Sequence, residues 1–170
     1  VIESEGSSDG SAEKKNQLFK LAGTAIFKDF KLVGYLNENE TSGLNWLRDQ
    51  MKHGRINAIL PEGQGNVGML LNHANRRITT DINGAKIKIN IQLYGEGSLS
   101  ENNSTLDVSL PKNLELVQKV LGESVEQQVQ DVLSKFQKRY KVDSMGFGRE
   151  IYRNHPKQWK VLKDEWDDQF

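Results

Sequence analysis

The spacing of apolar positions changes several times along this chain, and each change marks an element. Residues 1–17 are dominated by Ser, Gly, Glu, Asp and Lys and hold few large apolar side chains. Such a stretch buries too little apolar surface to offset its ordering entropy, so a flexible tail or linker is expected there, with the folded domain spanning 18–170. The apolar runs Ala25-Ile26-Phe27 and Leu32-Val33-Gly34-Tyr35-Leu36 flank Lys28-Asp29-Phe30-Lys31, a pattern that predicts a β-hairpin. Asn37 precedes Glu40 by three residues, the spacing at which an N-cap side chain and an N3 carboxylate satisfy each other's free amides. A helix should start there, bury Leu44, Leu47 and Met51 with Trp46 beside them, and stop at Gly54.

Arg55 to Leu60 reads as a strand closed by Pro61, followed by the turn-rich Glu62 to Asn66. Alternation on both sides of Asn83-Gly84 then predicts a long hairpin, with those two residues in a type I′ turn. That turn sets Ile82 opposite Ala85, Ile78 opposite Ile89 and Ala74 opposite Leu93 on an apolar face. The other face pairs Asp81 with Lys86, Thr79 with Lys88 and Arg77 with Asn90, and is polar and locally basic. Ser98 to Thr105 reads as a loop and Leu106 to Leu110 as a short edge strand. Leu114, Val117, Leu121, Val125, Val129, Val132, Phe136 and Tyr140 advance by three and four, the signature of a long amphipathic helix opened by Pro111 and able to cover the apolar sheet face. Gly122 is expected to mark a bend or a close approach within it. Asp143 to Arg153 and Pro156 to Trp166 read as two further helices. The fold class is therefore α+β: an antiparallel sheet with a long amphipathic helix and additional helices packed on one face.

Composition removes function classes and names none. Lys plus Arg and Asp plus Glu are both 23 in 170 residues, so no net charge draws the chain to nucleic acid, and nucleic acid is not an expected partner. Without cysteine there is no disulfide, thiolate-metal site or thiol nucleophile. Mean hydropathy is −0.65, and no apolar run approaches the length of a membrane helix. His53, His73 and His155 occupy no catalytic or metal-binding motif; His53 and His155 are read near helix ends, where a cation suits the exposed carbonyls. Gly63-x-Gly65 and Gly146-x-Gly148 complete no phosphate loop. Asp164, Glu165, Asp167 and Asp168 are read as a solvated helical face. Arg76-Arg77 with Lys86 and Lys88 lack interleaved aromatic residues, so a nucleic-acid patch is disfavoured. No catalytic residue, cofactor or metal site is expected.

Three stretches together resemble the C-terminal domain of the Ger(x)C family, the C subunits of bacterial spore germinant receptors. They are Gly23 to Leu47, the long helix ending Phe136-Gln-Lys-Arg-Tyr-Lys-Val-Asp143, and Gly146-Phe-Gly148 followed by Pro156-x-x-Trp159 and Trp166-x-x-x-Phe170. The resemblance implies a non-enzymatic receptor subunit. It implies assembly with A-type and B-type membrane subunits, nutrient-triggered germination, and a place at the outer face of the spore inner membrane through a lipid anchor. That anchor needs a cysteine that this sequence lacks, so the exported, lipid-bearing segment and earlier domains are expected to lie outside it. Trp46, Gly146, Phe147, Gly148, Trp159 and Trp166 are read as packing positions. Partner contact is expected on the polar face of the long hairpin, at Arg77, Lys86 and Lys88, because a sheet face left uncovered is available for docking. The alternative is a domain that itself binds a small-molecule germinant, which requires a concave pocket with convergent polar groups.

Overall fold

A computed structural model describes residues 2–5, 18–21, 23–84 and 86–170, the first two stretches as backbone alone. Strand β1 (Ile2–Glu5) pairs antiparallel with β2 (Leu18–Leu21). Most of the expected tail, residues 6–17, lies outside the described residues. Strands β3 (Thr24–Lys28) and β4 (Lys31–Leu36) form the first expected hairpin. Its turn places Asp29 and Phe30 at φ 48° and 63°, the left-handed pair of a tight hairpin connection.

Helix α1 (Glu38–Leu47) begins with the full reciprocal cap. Glu40 N–H donates to Asn37 Oδ1 and Asn37 N–H to Glu40 Oε2, both at 2.9 Å. It ends earlier than its apolar stripe suggested. Asp49 turns left-handed at φ 59°, which breaks the helix before Met51, and Gly54 instead opens β5 (Gly54–Ile59). His53 consequently lies before a strand and not at a helix end.

The main sheet has the order β5-β6-β7, all antiparallel, where β6 is Asn66–Asn83 and β7 is Lys86–Asn102. Strand β5 pairs only with Asn66 to Leu71, so the rest of β6 and its β7 partner form a two-stranded arm. The arm's register departs from expectation by two residues. Asn83 pairs with Lys86, and Ile82 meets Ile87, Ile78 meets Ile91 and Asp81 meets Lys88. Gly84, with φ 60°, supplies the left-handed position as the first of the two turn residues, not the second. Because the shift is even, every side chain keeps its predicted face. Next to the turn the apolar contact improves, since Ile82–Ile87 replaces Ile82–Ala85, while Ile78 faces an isoleucine in either register.

Ser98 to Asn102 is strand, not loop, and pairs with Val67 to Leu70. The polar residues there sit on a strand held by its neighbour, as where Ser100 Oγ donates to the Gly68 carbonyl at 3.2 Å. Leu106 to Leu110 forms no strand. Asp107 Oδ1 accepts from Ser109 N–H at 3.0 Å and Oγ at 2.7 Å, a local turn that competes with an extended backbone.

Helix α2 (Pro111–Lys135) continues into a π-turn over Phe136–Tyr140. Val117, Leu121, Val125, Val129, Val132, Phe136 and Tyr140 are buried as expected, joined by Val120, whereas Leu114 is 42% exposed near the free first turn. A side chain at Gly122 would meet nothing within 4 Å, so that glycine marks no close approach. The helix packs on α1, on β5 and on the root of β6. The arm instead meets α3 (Phe147–Asn154) and, at Thr80, His155, while α4 (Pro156–Leu162) packs on α3 and α5 (Trp166–Gln169) sets Trp166 against Trp159 and Asp167 against Lys28. Where two helices were expected there are three. His155 separates the first pair, and Glu165 in a non-helical conformation precedes α5.

Candidate functional site

Alternation along β6 gives its two adjacent arginines opposite surroundings. Arg76 points inward and locks the arm to the helical layer. Its backbone N–H donates to Asp49 Oδ1 at 3.0 Å, its guanidinium donates to the Leu47 carbonyl, and Nη2 lies 3.9 Å from Glu150 Oε1. Four residues further on, the Thr80 carbonyl meets His155 Nε2 at 3.1 Å. The arm is thus tied at two points to the chain around α3, and its inward face (Ile78, Ile82, Ile87, Ile89 and Ile91) is partly buried against the core.

Arg77 points the other way. It lies opposite Gln92, Lys88 opposite Asp81, and Lys86 opposite Asn83, all on the outward face. Every residue of that face, His73 to Asn83 and Lys86 to Tyr94, is exposed, and among the described residues Arg77, Lys86 and Lys88 make no ion pair. The structure therefore brings the three expected contact residues to one solvent-facing surface. It separates them from Arg76, so the basic cluster that Arg76-Arg77 suggested does not form as one patch.

A second surface was not foreseen. Helix α2, the start of α1 and the end of β5 enclose an open groove of about 1250 Å³. Its polar lining includes Asn39, Asn57, Glu101, Glu123, Gln127 and Asp131, drawn from four elements distant in sequence. Ser124 Oγ donates to the Asn57 carbonyl at 2.8 Å and ties α2 to the outer edge of β5. At the groove's end, Glu40 is held by Lys135 Nζ at 2.7 and 2.8 Å. Burial pushes the Glu40 carboxyl upward, but the Lys135 ammonium and the Asn37 amide outweigh it and hold the value below the ordinary 4.5. Glu40 stays charged and engaged in structure, unlike a carboxyl poised for proton transfer.

The family-like aromatic and glycine positions are internal. Trp46, Phe147 and Trp166 are buried, and Trp159 packs edge-on against Trp166 with ring centroids 5.7 Å apart. A Cβ on Gly148 would come within 2.7 Å of Trp159 and 2.9 Å of Trp166, so only glycine lets these rings close over α3. Sequence reasoning missed the residue that organises them. Asp143 accepts from the backbone N–H groups of Gly146, Phe147 and Gly148 at 2.8, 3.0 and 2.6 Å and from Trp166 Nε1 at 3.0 Å. The helix expected from Asp143 starts only at Phe147, after Gly146, so Asp143 lies ahead of α3 and accepts from its first two amides. In the acidic C-terminal run, Asp167 pairs with Lys28 at 2.8 Å.

Comparisons with known proteins agree with this architecture. The family described as spore germination B3/GerAC-like, C-terminal, matches residues 22–170. Spore germination protein YndF of Bacillus subtilis is 31% identical over 91% of this chain and 39% of its own length. Spore germination protein KC of the same organism is 28% identical over 87% of this chain and 36% of its length. The chain thus spans well under half the length of these relatives. The crystal structure of the GerBC protein superposes with a TM-score of 0.77 at 24% identity, covering 89% of this chain and 47% of that one, and so shares the fold. By the match over residues 22–170, this chain belongs to the spore germination B3/GerAC-like C-terminal family.

Proposed function

We propose that this domain is a non-enzymatic assembly module of a spore germinant receptor, docking through the outward face of the β6–β7 arm to A-type and B-type membrane subunits at the outer face of the spore inner membrane. The observation that carries the reading is the sidedness of the arm. One face is packed and pinned by Arg76 and His155, while the other presents Arg77, Lys86 and Lys88 without internal partners among the described residues. A rigid exposed face with unpaired cations offers rim charges that steer and orient an acidic partner at little ordering cost. The test is capture of the A-type and B-type subunits from spore membranes with this domain as bait, repeated with Arg77, Lys86 and Lys88 all changed to Glu. Retention by the native chain and its loss in the triple variant, at unchanged melting temperature, is the expected result. Failure of the native chain to retain either subunit, or equal retention by both chains, contradicts it.

The groove favours a second reading, in which the domain itself binds a small polar nutrient. Convergent amides and carboxylates suit a ligand rich in hydroxyl or ammonium groups. Calorimetric titration with amino acids and sugars separates the two readings. Saturable heat that disappears in Asp131→Asn and Gln127→Ala supports ligand binding, and none leaves the domain to docking.

A further inference from the structure

The β6–β7 arm leaves its two long edges in different states. On the β6 side, past the end of β5, Arg76 N–H donates to Asp49 Oδ1 at 3.0 Å and the Thr80 carbonyl meets His155 Nε2 at 3.1 Å. These groups point away from β7, and Asp49 and His155 take bonds that a further strand would need. On the β7 side, Ile87, Ile89, Ile91 and Leu93 lie opposite Ile82, Thr80, Ile78 and Arg76. Alternation of the antiparallel ladder therefore turns their N–H and C=O groups away from β6 as well. Among the described residues no strand pairs with that edge. The usual guards are missing from Ile87 to Leu93: the stretch has no proline, its pairing has no bulge, and its inward side chains carry no charge.

The same four side chains are incompletely covered. Helices α1, α2 and α3 pack on β6, and Ile87, Ile89, Ile91 and Leu93, one strand further out, are only partly buried. A β-strand added in the plane of the sheet supplies both a row of hydrogen-bond partners and apolar neighbours for these residues. The charges on the outward face select which strand. A second β7 centred near the tip is excluded, because Lys88 would meet Lys88. With Ile91 opposite Ile91 of a second copy, antiparallel pairing sets Lys86 opposite Glu96, Lys88 opposite Tyr94 and Ile89 opposite Leu93. Within its own chain Lys86 faces the neutral Asn83. Glu96 is exposed, lies opposite His73, and meets the Tyr94 hydroxyl at 3.5 Å. It makes no ion pair among the described residues. The two-fold axis repeats the Lys86–Glu96 contact at both ends of the seam.

We propose that the free edge of β7 pairs antiparallel with the same edge of a second copy of this chain, about a two-fold axis at Ile91, joining two three-stranded sheets into one. The seam runs along the strand edge and leaves the outward face, with Arg77, open to solvent, so it does not depend on docking at that face. The test is sedimentation equilibrium of the 170-residue chain over rising concentration, where a reversible dimer is expected. Lys86→Glu and Glu96→Lys each set like charges across the seam twice per dimer. Each should raise the dimer dissociation constant about tenfold, with the melting temperature unchanged at dilutions where the chain is monomeric. Combining the two substitutions restores opposite charges and should restore the dimer, which a general effect of surface charge does not do. Glu96→Lys also leaves Arg77, Lys86 and Lys88 in place, so it tests the seam without touching the docking residues. A monomer at every concentration overturns the proposal. So does a dimer indifferent to both single reversals, or a loss of association in the single variants that the combined variant fails to rescue.

Discussion

The carboxylate of Asp143 receives four donors, three from the backbone that opens α3 and one from the Trp166 indole at the far end of the chain. It caps one helix and anchors another with a single side chain. Asp143→Ala would leave the amides and a largely buried indole N–H without their acceptor, so a loss of about 2–4 kcal/mol is expected in urea denaturation. Asp143→Asn, which keeps one acceptor oxygen, should lose less. A loss below about 0.5 kcal/mol for the alanine variant would show that water replaces these bonds without cost. At this scale the sequence was partly legible. Burial of Trp46, Phe147 and Trp166 follows from their apolar area, but the Asp143 network needs Trp166 brought from 23 positions away, and no local pattern encodes that approach.

At the scale of elements, local signals were strong where the chemistry closes within a few residues. Asn37 and Glu40 specify the start of α1 because the cap is complete within four positions. The end of α1 was not readable, since Asp49 turns left-handed while its carboxylate accepts from Arg76, 27 residues on. The same distinction explains the arm. Alternation settled which side chains face which way, but left open a two-residue slip that preserves alternation and that cross-strand Ile contacts decide. Glu40 joins local and distant scales, because its cap also binds Lys135 on α2. Its carboxyl is held below the ordinary value, so the ion pair contributes stability above pH 4.5 that is lost as pH falls through the folded-state value. Glu40→Gln keeps the cap geometry but not the charge. It should be less stable than the native chain by about 1 kcal/mol at pH 7, the gap closing as pH drops below 4.5. A gap independent of pH in urea titrations would show that the pair contributes no charge-dependent stability.

Across the whole molecule, fold class and layering could be read from periodicity, but the division of labour among helices could not. A long apolar stripe on α2 was expected to cover the apolar sheet face, yet α2 packs on α1, β5 and β6, while α3 and His155 meet the arm. Stripe length states how much surface a helix buries and does not name the partner. The outward placement of Arg77, Lys86 and Lys88, the proposed contact residues, was legible because strand alternation sets it in either register. The groove escaped notice because its lining comes from α1, α2, β5 and β7, elements whose adjacency exists only in the folded chain. The central claim is that the outward flank of the arm is free in this domain and covered in the receptor. Acylation rates of individual lysines, read by mass spectrometry on the isolated chain and on the assembled receptor, test it most directly. Lys86 and Lys88 should react as fast as exposed Lys119 in the isolated chain and become strongly protected in the assembly, while Lys119 stays reactive. Protection of Lys86 and Lys88 already in the isolated chain, or rates unchanged on assembly, would contradict the account.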